Sequence, residues 1–496
     1  MNAKRLATLL AVLPLAAACA VGPSYERPPL ATPEAHRGAA PAAAANGTAT
    51  GAAVDLADRG WWELFSDPTL IELVDEALAS GHDVRLAAAR VEEARALAGI
   101  ARSARYPQID LAAGGSRGRS SAFTGGPTGT GETYAADLGL SWEIDLWGRV
   151  RRLDESARAR YLATEEARRG VALSLVSEVA TSYFRLRALD RQLEIARRTA
   201  EAFGSTHELF ESRLDAGLAS ALETSSALAS LESTAAAIPE LARRIAAEEN
   251  RLGVLLGRLP GEISRGAALD AQHLPIDVPA GLPSTLLERR PDLARAEQEL
   301  VAANAEVGVA AAELLPRISL TAAFGGLAPE VSELFGDGER WSVGGGLLAP
   351  IFQGGRLRAQ HRAALARWEQ AKVVYEKSVI TAFAEVATEL VAYRELAQVE
   401  QRQEAAVAAF REAVEHANSR YLSGLSGYLE VLQAQQQLFP AENALAQARL
   451  ERLSTLVDLY RALGGGWKLE EDWSSKPEQL ATAPATATAE VRNGTR

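Results

Sequence analysis

One thiol is available for chemistry in the 496 residues, Cys19, and its place in the chain says what it would do. Lys4-Arg5 precede an apolar run from Leu6 to Ala18. Thirteen residues are too few to span a bilayer and suit a signal-peptide core. Leu15-Ala16-Ala17-Ala18-Cys19 resembles a bacterial lipobox, in which the cysteine is acylated and becomes the mature N-terminus. The leucine usually found three places before the cysteine is Ala16 here, with Leu15 one place early. Ala20 after the cysteine fits outer-membrane sorting. A single cysteine cannot make an intrachain disulfide.

The other reactive residue types do not gather into a constellation. There is no phosphate-binding G-x-x-x-x-G-K, and His207-Glu208 lacks the second histidine of a zinc H-E-x-x-H. Gly129-x-Gly131 does not continue as a dinucleotide fingerprint. The six histidines lie far apart. The reading is therefore of no enzyme, no metal and no cofactor. Net charge is −12, pI about 5.3, with five lysines and no basic cluster among aromatics, which argues against nucleic acid.

What would position such residues is a duplicated architecture. Gly148-Arg149 recurs as Gly355-Arg356, an offset of 355 − 148 = 207. The same offset relates Glu178-Val179-Ala180 to Glu385-Val386-Ala387, Arg213-x-x-x-Gly217-Leu218 to Arg420-x-x-x-Gly424-Leu425, and Leu256-Gly257 to Leu463-Gly464. Glu223 and Glu430 are equivalent in the same way.

Each copy alternates, then turns helical. Ile109, Leu111 and Ala113 share a face before a Gly/Ser/Thr-rich loop expected at 114–131. Tyr134, Ala136, Leu138, Leu140, Trp142, Ile144 and Leu146 share the next. In the second copy Ile318, Leu320, Ala322 and Phe324 share a face, then Trp341, Val343, Leu347 and Ile351. A strand of about ten residues crosses a bilayer when tilted. From Gly148 to Asp215 there is no proline, and Val176, Val179, Tyr183, Leu186, Leu189 and Leu193 form one helical stripe. Val407, Phe410, Val414, Ala417 and Tyr421 repeat it. A helix of that length reaches about 100 Å. Gly217 and Gly424 stand where the helices reverse. The first return is expected to be broken at Pro239. No later segment is apolar enough for a transmembrane helix.

Four spanning strands leave two open edges, and each unsatisfied backbone group in hydrocarbon costs several kcal/mol. Bacterial barrels use at least eight strands. One chain cannot close a barrel, so physics requires association without choosing its number.

Six motifs, in order, carry a family likeness: Cys19-x-Val21-Gly22-Pro23-x-Tyr25, Trp61-Trp62-x-x-Phe65-x-Asp67-Pro68-x-Leu70, Trp142-Glu143-Ile144-Asp145-Leu146-Trp147-Gly148-Arg149, Arg289-Arg290-Pro291-Asp292, Pro350-Ile351-Phe352-x-x-Gly355-Arg356 and Ala462-Leu463-Gly464-Gly465-Gly466-Trp467. Over about residues 19–470 the chain resembles the TolC-like outer-membrane efflux proteins, in their NodT-type lipoprotein subgroup. The resemblance implies an α+β membrane protein: a homotrimer whose twelve-stranded outer-membrane β-barrel, four strands per chain, continues as a long periplasmic α-helical barrel of two tandem repeats. It implies docking to a periplasmic membrane-fusion adaptor and an inner-membrane pump of RND type, and passive exit of small molecules through the outer membrane. The adaptor-docking tips would be Arg213, Gly217 and Leu218 with Arg420, Gly424 and Leu425. Tyr421 stands at a gating tyrosine's position, and Glu223 and Glu430 match acidic ones. Where the family often has an aspartate and an arginine, the matching residues are Gln433 and Gln436, so amide contacts replace a charge pair. An outlet for protein secretion, or a lipid-anchored periplasmic coiled-coil scaffold or adaptor, are the alternatives.

The expected order is signal peptide 1–18, lipidated flexible linker 19–60, first periplasmic helices 61–105, first β-hairpin 106–147, first helical hairpin 148–257 and equatorial linker 258–290. The second copy follows with helix 291–314, β-hairpin 315–352 and helical hairpin 353–464, then a C-terminal segment 465–496 with a disordered tail.

Overall fold

The computed structural model describes residues 20–30, 32–33, 36–37, 65, 67–120, 129–272, 274 and 283–465. Cys19 and the signal peptide, Trp61-Trp62, and the tail beyond 465 lie outside them. Helices α1 (Pro68–Ser80) and α2 (His82–Ser103) lead into strands β1 (Gln108–Ser120) and β2 (Gly129–Ile144). Then come α3 (Arg149–Asp215), α4 (Ala221–Leu256), α5 (Pro283–Arg289) and α6 (Pro291–Ala312). Strands β3 (Arg317–Ala328) and β4 (Glu339–Leu348) precede α7 (Arg356–Leu422) and α8 (Tyr428–Ala462).

The long helices α3 and α7 are 67 residues each, about 100 Å. Each follows a glycine at positive φ, Gly148 (79°) and Gly355 (84°), a conformation that penalises any side chain. Asp145 accepts from the backbone N–H of Val150 (3.0 Å) and Arg151 (2.9 Å), and so caps α3 from inside the preceding turn. The stripe of α3 is buried from Val176 to Leu189.

The sheet is antiparallel in the order β1-β2-β3-β4. Its register aligns Leu111, Leu138, Phe324 and Trp341 in one row across all four strands, every one of them exposed. The next residues along make the opposite row: Ala112, Asp137, Gly325 and Arg340. Arg340 reaches over Gly325 to Asp137, with Nε 3.0 Å from Oδ1. A Cβ on Gly325 would come within 2.6 Å of that oxygen. From Ile144 to Leu138 and across their partners the first face is apolar, whereas Glu339, Arg117 and Glu132 lie farther along it; the opposite face is mostly small or polar.

Four expectations need correction. The loop expected at 114–131 is strand at both ends, because Gly114–Ser120 pair with Gly129–Ala135 and find their hydrogen bonds in the ladder. Leu146 and Ile351 lie beyond the strand ends, since Leu146 N–H already turns back onto Ile144 O at 2.8 Å. Pro239 does not break the return helix; it sits inside α4, as Pro440 sits inside α8. An interior proline costs about 3 kcal/mol. Ile238 and Phe439, beside the two prolines, pack on the cluster of Leu189, Ala196 and Leu241, which offsets that cost. Finally, residues 21–27 are not a flexible linker but are bonded to the turn before α3, to α3 and to α6.

The core lies where α1, the middles of α3 and α7, the ends of α4 and α8, and α6 meet. Asp67 sits in it at 1 % exposure. Its carboxylate accepts from Thr69 N–H (3.0 Å), Tyr183 O–H (2.7 Å), Ala267 N–H (3.0 Å) and Gln272 Nε2 (2.8 Å). Burial pushes the carboxyl up, but these donors win and hold it below the usual carboxylate range. A depressed acid stabilises the fold above its unfolded pKa, and that contribution is lost as pH falls through the folded value. Asp67→Ala leaves several buried donors unpaired and should cost about 3 kcal/mol. The check is the thermal midpoint by circular dichroism: the gap to wild type should narrow below about pH 4.

Candidate functional site: the tips of the two hairpins

Both long helices end in the same turn. Leu218 N–H donates to Arg213 O at 2.7 Å and Gly217 N–H to Leu214 O at 2.9 Å, with Gly217 at φ 74°. Leu425 donates to Arg420 O and Gly424 to Tyr421 O, both at 2.9 Å, with Gly424 at φ 71°. This is the Schellman arrangement, and it accounts for the Arg-x-x-x-Gly-Leu spacing through the backbone alone. It does not account for the leucines. In such a turn the residue after the glycine usually packs back on the helix, whereas Leu218 is 78 % exposed and Leu425 70 %. Leu222, Leu422 and Leu429 are exposed beside them. The tips therefore present apolar side chains to the surroundings.

The two glutamates related by the repeat have different contacts. Glu223 completes a capping box with Ser220: its carboxylate accepts from Ser220 N–H (2.8 Å) and O–H (2.9 Å). The Ser220 backbone N–H, then its hydroxyl, hold the Glu223 carboxyl below its ordinary range. Glu430 instead accepts from Arg420 Nε at 3.2 Å, because α8 is capped by Gly427, which has no side chain to offer. Both carboxylates are exposed.

What joins the hairpins is an aromatic knot that the sequence reading did not single out. Tyr428 is buried and meets Phe210 edge-on at 4.6 Å and Tyr421 at 5.2 Å. Its hydroxyl bonds the Thr206 hydroxyl at 2.7 Å. Tyr421 lies under the Arg213 guanidinium, 5.5 Å from ring centroid to Cζ, and accepts a hydrogen bond from it. Tyr421 thus touches the first hairpin directly. Gln436 donates to Ser230 Oγ at 3.1 Å, a second link between the hairpins, while Gln433 is exposed. Farther up, Glu442 is 5 % exposed between Arg198 (2.5 Å) and Arg411 (2.7 Å), one from each hairpin. The phenylalanine spacing Phe203–Phe210, two helical turns, was the available signal for the knot.

Two further motifs resolve into structure. Arg290 is buried, forks onto Asp292, reaches Glu385 of α7 at 2.7 Å, and donates to Ala462 O at the end of α8. The expectation of no G-x-S-x-G fails, since Gly114-Gly115-Ser116-Arg117-Gly118 has that spacing of a hydrolase nucleophile turn. It lies inside β1 in unbroken register with β2, not at a strand-to-helix turn.

Residues 73–258 and 282–465 match the family described as outer membrane efflux protein. The chain is 36 % identical over 470 residues to the toluene efflux pump outer membrane protein TtgC of Pseudomonas putida, covering 94 % of this chain and 96 % of that one. It is 32 % identical over 467 residues to the probable outer membrane lipoprotein SilC of Salmonella typhimurium, covering 93 % and 99 %. Among solved structures, the open state of the Neisseria gonorrhoeae MtrE outer membrane channel superposes with a TM-score of 0.80 at 32 % identity, covering 91 % of this chain and 99 % of that one.

Proposed function

This chain belongs to the outer membrane efflux protein family, and from that premise we propose that it works as a homotrimeric exit duct. It is a channel component of an efflux system in the outer membrane, not an enzyme. In the trimer three four-stranded sheets close one barrel of twelve strands. Residues 106–147 and 315–352 supply the membrane hairpins, 148–257 and 353–464 the periplasmic ones, with 258–290 as the linker between them. The observation that carries the reading is the apolar row from Leu111 to Trp341 on a sheet with two unpaired edges. Hydrocarbon tolerates neither an open edge nor a polar outer face; the apolar row supplies the outer face, and closure by other copies removes the edges.

The exposed leucines Leu218 and Leu425 fit a periplasmic membrane-fusion adaptor, with an inner-membrane pump of RND type behind it. The substrates are small molecules, as the toluene pump named for the Pseudomonas relative suggests. Cys19 carries the lipid. Gln433 and Gln436 contribute amide contacts to closure near Tyr421. Native mass spectrometry in detergent should find a trimer; a stable folded monomer would defeat the barrel reading.

Glu223 and Glu430 give six carboxylates near the periplasmic mouth of a trimer. Acidic rings favour cations, and the preference is screened by salt. Glu223→Gln with Glu430→Gln should therefore reduce the cation selectivity of single channels at low salt. Unchanged reversal potentials would reject the acidic entrance.

A further inference from the structure

We infer that the turn between β3 and β4, residues 329–338, is a shelf on the membrane side of the barrel, and that Phe335 and Val331 on it rest in the headgroup layer of the outer leaflet. The register places it there. Gly326 and Ala328 follow Phe324 on the same face of β3, so their Cβ positions point outward with those of Leu138 and Trp341. A Cβ on Gly326 would overlap the Leu334 carbonyl. A Cβ on Gly338 would lie 3.0 Å from Ala328 Cβ and 2.8 Å from Glu333 O. Leu334 and Ala328 are both buried. The turn is therefore folded down over the outer face of β3, and not across the lumen side, which belongs to Asp137 and Arg340. It lies at the end of the sheet away from the long helices, which is the outer-leaflet end of the barrel.

Backbone set against lipid must satisfy its own polar groups. This turn does so. Glu333 N–H donates to Glu330 O (3.2 Å) and Leu334 N–H to Val331 O (3.4 Å). Gly336 and Gly338 both donate to Glu333 O (3.2 and 3.0 Å), and Leu327 N–H closes the turn onto Gly338 O (2.9 Å). The side chains then set its depth. Val331 is 62 % exposed and Phe335 69 %, and Glu330, Glu333 and Asp337 are exposed beside them. Carboxylates keep the shelf out of the hydrocarbon, and the apolar pair keeps it out of bulk water. The headgroup layer suits both.

What covers Phe335 and Val331 follows from the face they continue, and the argument rests on the reading of the sheet as a membrane barrel. The outer face stays apolar up to Tyr134 on β2, but on β3 and β4 its large side chains stop at Phe324 and Trp341, because Gly326 and Glu339 come next. From Ile144 to Tyr134 the tilted strand rises about 26 Å, close to the apolar band of about 25 Å that bacterial barrels carry between two aromatic girdles. From Ile318 to Phe324 the rise is only about 16 Å. Tyr134 is in register with Ala328, which the shelf covers, so the shelf stands at the height of Tyr134. Phe335 and Val331 thus complete over β3 and β4 the upper girdle that Tyr134 supplies on β2, and their partner is the lipid of the outer leaflet.

The test uses assembled trimers of the whole chain in nanodiscs, with Cys19→Ser behind an exchanged, ordinarily cleaved signal peptide, so that a bimane label finds one thiol. A label on Phe335→Cys should be quenched more by headgroup nitroxide lipids than by mid-chain ones, and little by iodide in the water. A label on Val343→Cys, in the middle of the apolar face, should be quenched most by mid-chain nitroxides. Gly326→Leu should push the shelf off its seat and remove the lipid quenching of the first label while leaving that of the second. Should that variant fail to assemble, Gly338→Ala displaces the turn with a smaller side chain and should give the same loss. If the second label is quenched by lipid and the first only by iodide, the turn covers the mouth and the inference is overturned. If the first is protected from both, Phe335 packs on a neighbouring copy, which overturns it as well. Lipid quenching of the first label that survives both glycine variants overturns the seat. A second label that no lipid nitroxide quenches defeats the barrel reading itself, and the inference with it.

Discussion

Tyr428→Ala is expected to raise the open fraction of the channel by at least a factor of ten. Tyr428 is the centre of the knot that holds the far ends of the two hairpins together, in contact with Phe210, Tyr421 and Thr206. Truncating a buried aromatic residue costs about 3–5 kcal/mol. Thr206 and Phe210 belong to α3, whereas Tyr421 is the last turn of α7, so a large share of that cost falls on the contact between hairpins. Every 1.4 kcal/mol shifts an equilibrium tenfold, and a share of one half already exceeds that. Tyr428→Phe keeps both ring contacts and loses only the hydroxyl's hydrogen bonds, to Thr206 and, at 3.4 Å, to Gln435, about 1 kcal/mol, so its effect should be several-fold smaller. Arg213→Ala removes a cation–π contact at an exposed site, about 0.5–1 kcal/mol, and should rank with it. Single-channel recording of assembled trimers measures all three. An open fraction in Tyr428→Ala equal to wild type would show that contacts between copies, not within one, hold the end shut.

How much of this was legible depended on whether the information was local. Period carried the long helices and the centres of the strands, because each apolar stripe is written along its own element. The 207-residue offset located both tips, since a residue at positive φ demands glycine wherever the architecture recurs. Strand ends were lost at Gly114–Ser120, where glycines and serines pair in the ladder without showing an alternating pattern. Asp67 was legible as a helix cap, but its bonds to Tyr183 and Gln272 cross more than a hundred residues of chain. The order of residues 21–27 is hidden from the sequence for the same reason. Ala- and Pro-rich composition describes what the segment lacks, whereas its order comes from Arg152, Asn304 and Glu297, none of which lies near it in sequence. The repeat also misled in one respect. It makes Glu223 and Glu430 equivalent, yet Ser220 caps one helix and Gly427 the other, and that single difference turns one glutamate into a cap and the other into an ion-pair partner.

Leu138→Arg and Ser141→Arg, three residues apart on the same central strand, should have opposite fates. Leu138 lies in the apolar row between Leu111 and Phe324, near the middle of β2. Ser141 lies in register with Gln108 and Thr321 on the other face. The side chains of a strand alternate strictly, so an odd separation puts the two arginines on opposite sides of the sheet. An arginine at the lipid midplane of a barrel costs about 2–4 kcal/mol, or about 6–12 kcal/mol over three copies. That is comparable with the whole stability of an ordinary fold, about 5–15 kcal/mol. Leu138→Arg should therefore abolish accumulation of trimers in the outer-membrane fraction. Ser141→Arg places three cations among small polar side chains in water, where charge is tolerated, and should assemble in normal amounts while shifting ion preference toward anions. The pair separates the barrel from a soluble sheet packed on a partner. A soluble sheet that buries the Leu138 face would lose its docking without any link to lipid, and the purified monomer would remain folded. A sheet with the faces reversed would invert the two outcomes, so that Ser141→Arg, and not Leu138→Arg, failed to insert.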